Sequence, residues 1–393
     1  MRVLLLAPQP FYQPRGTPIA VRAVAEGLAA LGHQVELLAY FEGQDVVMPG
    51  VTIHRIPRPW GVRKVPVGVS WQKLPCDFVM YQRAAKMLAR GGYGAIHAVE
   101  EAGFIARLLA KRFALPYVFD MDSRMSSQIV ETNPWYWPVS MLFGALERWA
   151  IRGSAGVLAV CPLLVDYAKQ HQRTGNVALL PDLPVPPVVA DGGPPLQLPD
   201  VPAGHVKLLY VGNLEAYQGV DLMLEAFALA AGRRADATLT VVGGLPEHVE
   251  RNRAKAQSLQ WSGRVVFTGP RPLEVLPRVL RWADVLVSPR RKGINTPMKV
   301  YNYMQAGRAI VATNLPTHTQ VLDATTAVLT EPTPAALAEG MVALIDDPQR
   351  RERLGAAAQR RVEEEYGPAR WLERLRGFYA GIGEQAANKG NQR

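Results

Sequence analysis

Two cysteines, Cys76 and Cys161, are all that this chain of 393 residues contains. They lie far apart with no Cys or His spaced around them as metal ligands, which argues against a disulfide framework or a zinc site and fits a reducing compartment such as the cytoplasm. Also lacking is any run near the roughly 18 apolar residues that would span a bilayer. The opening Met1-Arg-Val-Leu-Leu-Leu-Ala7 is too short for a signal-peptide core and reads as a buried first strand. The loop after it, Gln13-Pro-Arg-Gly-Thr-Pro18, lacks the spaced glycines of a dinucleotide fingerprint, which argues against an NAD-dependent enzyme. Carboxylates are the scarcer charge: 34 Asp and Glu stand against 44 Lys and Arg, a net charge of +10. Residues 51–112 alone hold eleven Lys or Arg against Asp77, Glu100 and Glu101. Such a patch attracts anionic lipid head groups or nucleic acid. With no helix-turn-helix, aromatic recognition platform or zinc finger in the text, an anionic membrane surface is the preferred partner and nucleic acid is not expected. The other reading is a solvated face that only aids solubility.

What is present is an α/β alternation that runs twice. Arg2–Ala7, an amphipathic helix from Pro18 to Leu31 closed by Gly32, and the strand Gln34–Ala39 form a βαβ opening. Strands near Val51, Ala95, Pro116 and Gly156 continue it. Leu180 to Pro202 is proline-dense, without periodicity, and reads as a linker. The pattern then restarts with strands at Val206–Val211, Ala237–Val242, Val265–Thr268, Ala283–Ser288 and Ala309–Ala312. At 393 residues there is room for two domains of about 150–200 residues each.

The densest concentration of chemistry lies in 283–313. An apolar strand runs into the basic loop Arg290-Arg-Lys-Gly293, and Asn295-Thr296-Pro297 reads as a helix start, a capping side chain followed by Pro at the first helical position. Free N–H groups and the positive end of the helix dipole would then face the loop, with Lys299 in the first turn. A helix N-terminus ringed by cations at the carboxyl end of a parallel strand is where α/β proteins bind phosphates.

In the first half, Gly16 and Thr17, with Arg15 beside them, offer backbone that approaches a phosphate or sugar closely, or simply a tight turn. Strand 116–122 ends in Asp120 and Asp122, which alternation places on one side. They are suited to hold an acceptor hydroxyl, to take its proton, or to pair with Arg124. His97 and Glu100 end the preceding strand; a lone histidine there is ordinarily satisfied within the structure. The aromatic segment Asn133-Pro-Trp-Tyr-Trp137 leads into a helix at 140–152 and reads as a cap on the core, the alternative being a lipid interface. Trp60, Val62, Val65, Val67, Val69 and Trp71, interleaved with Arg63, Lys64 and Lys73, suit either a membrane surface or packing on their own domain.

The stretch Pro297, Lys299, Tyr303, Met304 and Gly307 resembles the donor-site segment of the group 1, or family 4, glycosyltransferases, in the branch that reads Pro-x-Lys before a Glu-Tyr-Met. The likeness covers nearly the whole chain. It implies two Rossmann-like domains facing each other across a cleft (the GT-B fold), with a C-terminal helix crossing back to the first domain. Residues 1–182 would bind the acceptor, 183–204 would be the linker, 205–368 would bind a nucleotide diphosphate sugar, and 369–393 would be the crossing helix and a disordered tail. The family's paired glutamates are replaced by Ile294 and Asn302, and the Arg and Lys that it directs at the donor diphosphate are replaced by Asn213 and Gln218. Where the family has a histidine near the reacting carbon, this chain has Asp122.

The resemblance implies a cytoplasmic, retaining hexosyltransferase, peripheral at the inner membrane face, acting on a lipid-linked or glycan acceptor. Gly212, Asn213, Asn295, Thr296 and Asn302 would hold the nucleotide, and Arg291, Lys292 and Lys299 would neutralise the leaving diphosphate. Asp122 and His97 would serve the acceptor with Asp120, Glu100 and Arg124. No cofactor or metal is called for, since the cations are side chains. A non-catalytic scaffold and a sugar-nucleotide epimerase on the same fold are the rival readings. His318, near a helix start, is expected on the surface.

Overall fold

The computed structural model describes residues 1–13, 16–66, 70–132, 134–185, 198–259 and 262–390. The chain divides into two compact units, Met1–Asp182 with Pro368–Arg393, and Leu183–Gly367.

The first unit is built on a parallel sheet of β1 (Arg2–Ala7), β2 (Gln34–Ala39), β3 (Val51–Arg55), β4 (Tyr93–Val99), β5 (Tyr117–Met121), β6 (Gly156–Ala159) and β7 (Val177–Leu179). Its order is β3-β2-β1-β4-β5-β6-β7. The central strands are continuous apolar runs because both of their faces are covered. The helices are α1 (Gly16–Ala30), α2 (Leu74–Leu88), α3 (Ala102–Phe113), α4 (Met125–Thr132), α5 (Trp137–Gly153) and α6 (Pro162–Lys169). Right-handed crossovers put α1 on one face and α2, α3 and α5 on the other, α3 packing between α2 and α5.

The second unit repeats the design with β8 (Val206–Val211), β9 (Ala237–Val242), β10 (Val265–Gly269), β11 (Val285–Ser288), β12 (Ala309–Thr313) and β13 (Val328–Thr330) in the order β10-β9-β8-β11-β12-β13. Its helices are α7 (Val220–Arg233), α8 (Pro246–Ser258), α9 (Leu276–Trp282), α10 (Met298–Gln305), α11 (Pro316–Thr319), α12 (Pro334–Asp346) and α13 (Pro348–Tyr366). Apolar side chains fill both faces of this sheet, Phe227 and Met341 on one and Tyr301 and Met304 on the other. In both sheets the order reverses beside the first strand of the unit, the switch point at which α/β folds bind ligands.

The last helix, α14 (Pro368–Gly390), belongs to the first unit. Two glycines let it pack closely: a Cβ on Gly27 of α1 would lie 2.6 Å from the Trp371 ring, and one on Gly156 would lie 2.7 Å from the Phe378 ring. Trp371 Nε1 donates to the Pro181 carbonyl at 2.9 Å.

Several expectations are corrected. Asn388 to Gly390, expected in a disordered tail, lie in α14. In the linker, residues 186–197 lie outside the described residues, and Leu198 packs against the core of the second unit. The aromatic segment does not cap the core: Trp135, Tyr136 and Trp137 are exposed. Val65 and Lys73 are buried whereas Trp60 and Trp71 are exposed, so the described part of 60–75 packs in part and presents its tryptophans outward, while Val67 and Val69 lie outside the described residues. No helix among the described residues is long and apolar enough to cross a membrane.

Candidate active site

In the first unit the carboxyl ends of β4 and β5 bring together most of the acidic candidates. His97 is wholly buried near the end of β4. Its Nε2 lies 3.0 Å from Asp120 Oδ2, and its Nδ1 lies 2.7 Å from the hydroxyl of Tyr379 on α14. The chain of bonds is satisfied when Tyr379 donates to Nδ1 and Nε2–H donates to Asp120. Both ring nitrogens are thus occupied inside the protein, so His97 positions Asp120. Glu100, held at φ 48°, takes a hydrogen bond from Ser123 Oγ at 3.2 Å, and its backbone N–H donates to the Asp120 carbonyl at 2.9 Å.

Four carboxyls, Glu100, Asp120, Asp122 and Asp182, share this edge, and removal from water pushes the protons of Glu100, Asp122 and Asp182 on. Desolvation, aided by neighbouring Glu101, raises Glu100 to about 7. Desolvation and the charge of Asp120 raise Asp182 to about 7. Asp122 is pushed well above the carboxylate range, first by desolvation and then by Asp120, Glu100 and Asp182, while a hydrogen bond from Thr17 works the other way. A carboxyl with a raised pKa is a stronger base once it is ionised. Gly16 opens α1 beside this edge. A Cβ there would meet nothing within 4 Å and its φ is not left-handed, so a tight turn is not what requires the glycine. Arg15 lies outside the described residues. Arg124 does not pair with either aspartate; its guanidinium stacks 4.3 Å from the Tyr167 ring centroid.

The second unit gathers cations around the ends of β8 and β11. Lys299, in the first turn of α10, donates to the Tyr210 hydroxyl at 3.0 Å and to Gln218 Oε1 at 2.9 Å, and its ammonium lies 4.2 Å from the Tyr210 ring centroid. It lies against Gly212, where φ is 154° and a Cβ would fall 2.7 Å from Nζ. Desolvation, then Arg290, pushes the ammonium well below its ordinary pKa. Lys299 is therefore a half-buried, desolvated cation whose hydrogen-bond partners are neutral and whose charged neighbour is another cation. Asn213 lies exposed in the same turn, its carbonyl accepting from the Tyr210 hydroxyl at 2.6 Å. Arg291 and Lys292 are exposed on the following loop.

The helix start differs from the sequence expectation. Pro297 is the N-cap of α10 and no side chain caps it, because Pro297 remains extended and the helix begins at Met298. The Asn295 carbonyl instead accepts from Arg290 Nη1 at 3.0 Å and Thr317 Oγ1 at 2.7 Å, which shapes the loop. Thr296 Oγ1 is buried with no hydrogen-bond partner. Asn302 is also corrected. Its Oδ1 accepts from the Val185 N–H at 2.7 Å and its Nδ2 donates to the Met298 carbonyl at 3.2 Å, so its amide anchors the chain entering the second unit. His318 is not on the surface. Its Nδ1 can only donate to the Thr313 carbonyl at 2.8 Å, which leaves Nε2 to accept from Ser288 at 2.8 Å. Burial pushes it down to about 4, and it acts as a neutral brace.

Sequence reasoning missed Tyr379, Asp182 and Tyr210. Tyr379 lies 282 positions from His97, where no local pattern points to it. Asp182 had a weak signal, as a lone carboxylate in proline-rich apolar text. Among the described residues, no group of three His, Cys, Asp or Glu side chains is placed to hold a metal ion.

Residues 15–182 match the family described as glycosyl transferase 4-like domain, and residues 205–347 match that described as glycosyl transferases group 1. The chain belongs to the group 1 glycosyltransferases. Each match falls on one of the two units, so the transferase assignment covers both halves. Among relatives of this glycosyltransferase, phosphatidyl-myo-inositol mannosyltransferase of Mycobacterium tuberculosis (strain ATCC 25618 / H37Rv) is 24% identical over 372 residues, covering 92% of each chain. Sucrose-phosphate synthase from Thermosynechococcus elongatus superposes with a TM-score of 0.76 at 19% identity, covering 97% of this chain and 98% of that one. Anabaena HepE in complex with UDP-glucose superposes at 0.69 and 15% identity, covering 100% of both. The architecture is the GT-B fold of two Rossmann-like units.

Proposed function

We propose that this glycosyltransferase moves a hexose from a nucleotide diphosphate sugar to a hydroxyl of a lipid-linked or glycan acceptor, with retention at the anomeric carbon. The observation that carries the reading is Lys299. A desolvated ammonium beside Arg290 that has only neutral partners is unfavourable until an anion arrives, and a diphosphate at the α10 N-terminus supplies one. Binding then restores the full charge of Lys299, and Arg291 and Lys292 close over the phosphates from the loop. The unpartnered Thr296 hydroxyl is available to the same ligand. Lys299 stands in for the cations absent at Asn213 and Gln218, one of which it bonds directly.

In the transfer step the acceptor oxygen forms a bond to the anomeric carbon, and the bond from that carbon to the diphosphate oxygen breaks, its electron pair leaving with the diphosphate. Asp122 takes the acceptor proton. The growing charge on the leaving group is met by side-chain cations, with no metal in the scheme; stabilising such charge is usually the largest catalytic term. The UDP-glucose in the Anabaena HepE complex and the lipid acceptor in the name of the mycobacterial relative support this choice of substrates. Attachment to the cytoplasmic face of an anionic membrane is part of the reading.

The test is release of nucleoside diphosphate from a panel of sugar nucleotides, with NMR of the product to assign anomeric configuration. Release with a new glycoside of retained configuration supports the proposal. Isomerised sugar with no acceptor product would identify an epimerase instead.

A further inference from the structure

The outer face of the α2–α3–α5 layer carries large apolar groups that nothing among the described residues covers. Trp71 just ahead of α2, Phe78 on α2, Leu108 on α3, and Trp137, Met141 and Leu142 on α5 are each more than half exposed. Helix α5 buries Gly144, Glu147, Ala150 and Ile151 and leaves the large apolar groups of its first turns outside. Its only carboxylate, Glu147, is wholly buried, accepting from the Ser126 N–H at 3.1 Å and the Ser126 hydroxyl at 2.7 Å. Its tryptophan, methionine and leucine at 137, 141 and 142 point outward.

Charge on the same layer has one sign. The three helices carry seven Lys or Arg and two carboxylates. Glu147 is one of the two; the other, Asp77, is turned to Tyr40, whose hydroxyl donates to it at 2.5 Å. Lys86, Lys111, Arg112 and Arg152 are exposed. All three helices run against the strands, so the starts of α2 and α5, with Phe78, Trp137 and Met141, lie toward the sheet's carboxyl edge, where Glu100, Asp120 and Asp122 sit. The four cations lie toward the other end.

We propose that this face docks on an anionic lipid surface, the apolar rim entering the interface and the cations meeting head groups, so that the carboxylate edge works at the lipid–water boundary on an amphiphilic acceptor. Tryptophan beside aliphatic side chains suits the interfacial depth, and exposed Lys and Arg without exposed carboxylates suit anionic head groups. A second copy of a chain with net charge +10 would bring like charge to like. The acceptor's role in this proposal rests on the transferase reading; the docking does not.

Vesicle sedimentation of the full chain tests it, with phosphatidylcholine alone or mixed with phosphatidylglycerol. Binding is expected only with phosphatidylglycerol, with a blue shift of tryptophan emission, and is expected to weaken as salt rises from about 50 to about 300 mM. The triple variant Trp137→Gln, Met141→Gln, Leu142→Gln should keep its melting temperature and its nucleotide release without vesicles, yet lose about tenfold or more in vesicle affinity. Equal binding by that variant, equal binding to both vesicle types, or no binding overturns the proposal. So does a dimer in sedimentation velocity that the variant abolishes, since a second copy would then own the face. Vesicle binding by a protein that releases no nucleotide from any donor would refute the transferase reading alone; nucleotide release without vesicle binding would refute the docking alone.

Discussion

The hydroxyl of Tyr379, on the last helix, lies 2.7 Å from Nδ1 of His97, whose other nitrogen bonds Asp120. The chain's final helix thereby fixes the orientation of a carboxylate on the acidic edge of the first unit, and the charge of that carboxylate is one cause of the raised pKa of Asp122. Removing the hydroxyl with Tyr379→Phe leaves Nδ1 without its partner and frees the ring to turn. Asp120, no longer held through His97, is then free to move away from Asp122 and relieve it. The variant should lose about 1–3 kcal/mol of stability, and the acid limb of its kcat/KM profile should move to lower pH. A loss of stability with an unmoved acid limb would mean that the contact is structural only.

Stability itself should depend on pH in a direction set by the same edge. Glu100 rises from 4.5 to about 7 and Asp182 from 3.8 to about 7 on folding, so between these limits the folded protein holds protons that the unfolded chain has released. Their contribution is therefore complete below pH about 4 and is lost as pH rises toward about 7. Asp182→Asn should be more stable than the parent at pH 8, by an amount on the order of 1–4 kcal/mol, with the gap closing near pH 4. Thermal melts of both proteins across this range decide it; a gap that does not change with pH would show that Asp182 ionises normally.

At the proposed donor site, Lys299 and Gly212 form one device. Lys299→Ala should reduce turnover by about 100- to 1,000-fold while the fold persists, because the ammonium makes no ion pair in the unliganded protein. Gly212→Ala should produce a comparable loss from the other side, since the added methyl would lie 2.7 Å from Nζ and push it aside, and the positive φ disfavours a side chain. Steady-state kinetics with circular dichroism on each variant tests the pair. Near-normal turnover in Gly212→Ala would mean that Lys299 works from a different position.

The degree to which this was legible in the sequence follows from the physics of each element. Strands such as Arg2–Ala7 and Ala309–Thr313 announce themselves because strands buried on both faces are continuous apolar runs. Asp120 and Asp122 were found by alternation at a strand end, and Lys299 by its place in a motif. The three-residue strands β7 and β13 are too short to carry a pattern. Asn295 and Thr296 were misread because a capping preference is a local signal, whereas the Asn295 carbonyl is claimed by Arg290 and Thr317 from outside the local sequence. Trp135, Tyr136 and Trp137 read as a cap on the core because large aromatic side chains are ordinarily buried. Only the structure shows that Ser126 of α4 satisfies Glu147 on the buried side of α5, while the large apolar groups at the start of that helix face outward.

Titration calorimetry of UDP, GDP and ADP, each with its common sugar conjugates, against the parent and Lys299→Ala tests the central claim most directly. One nucleotide should bind the parent, release heat and lose at least about tenfold in affinity in the variant, equivalent to about 1.4 kcal/mol. Equal affinity in both proteins, or no binding of any of these ligands to the parent, would contradict the assignment of Lys299 and the α10 N-terminus to a donor diphosphate.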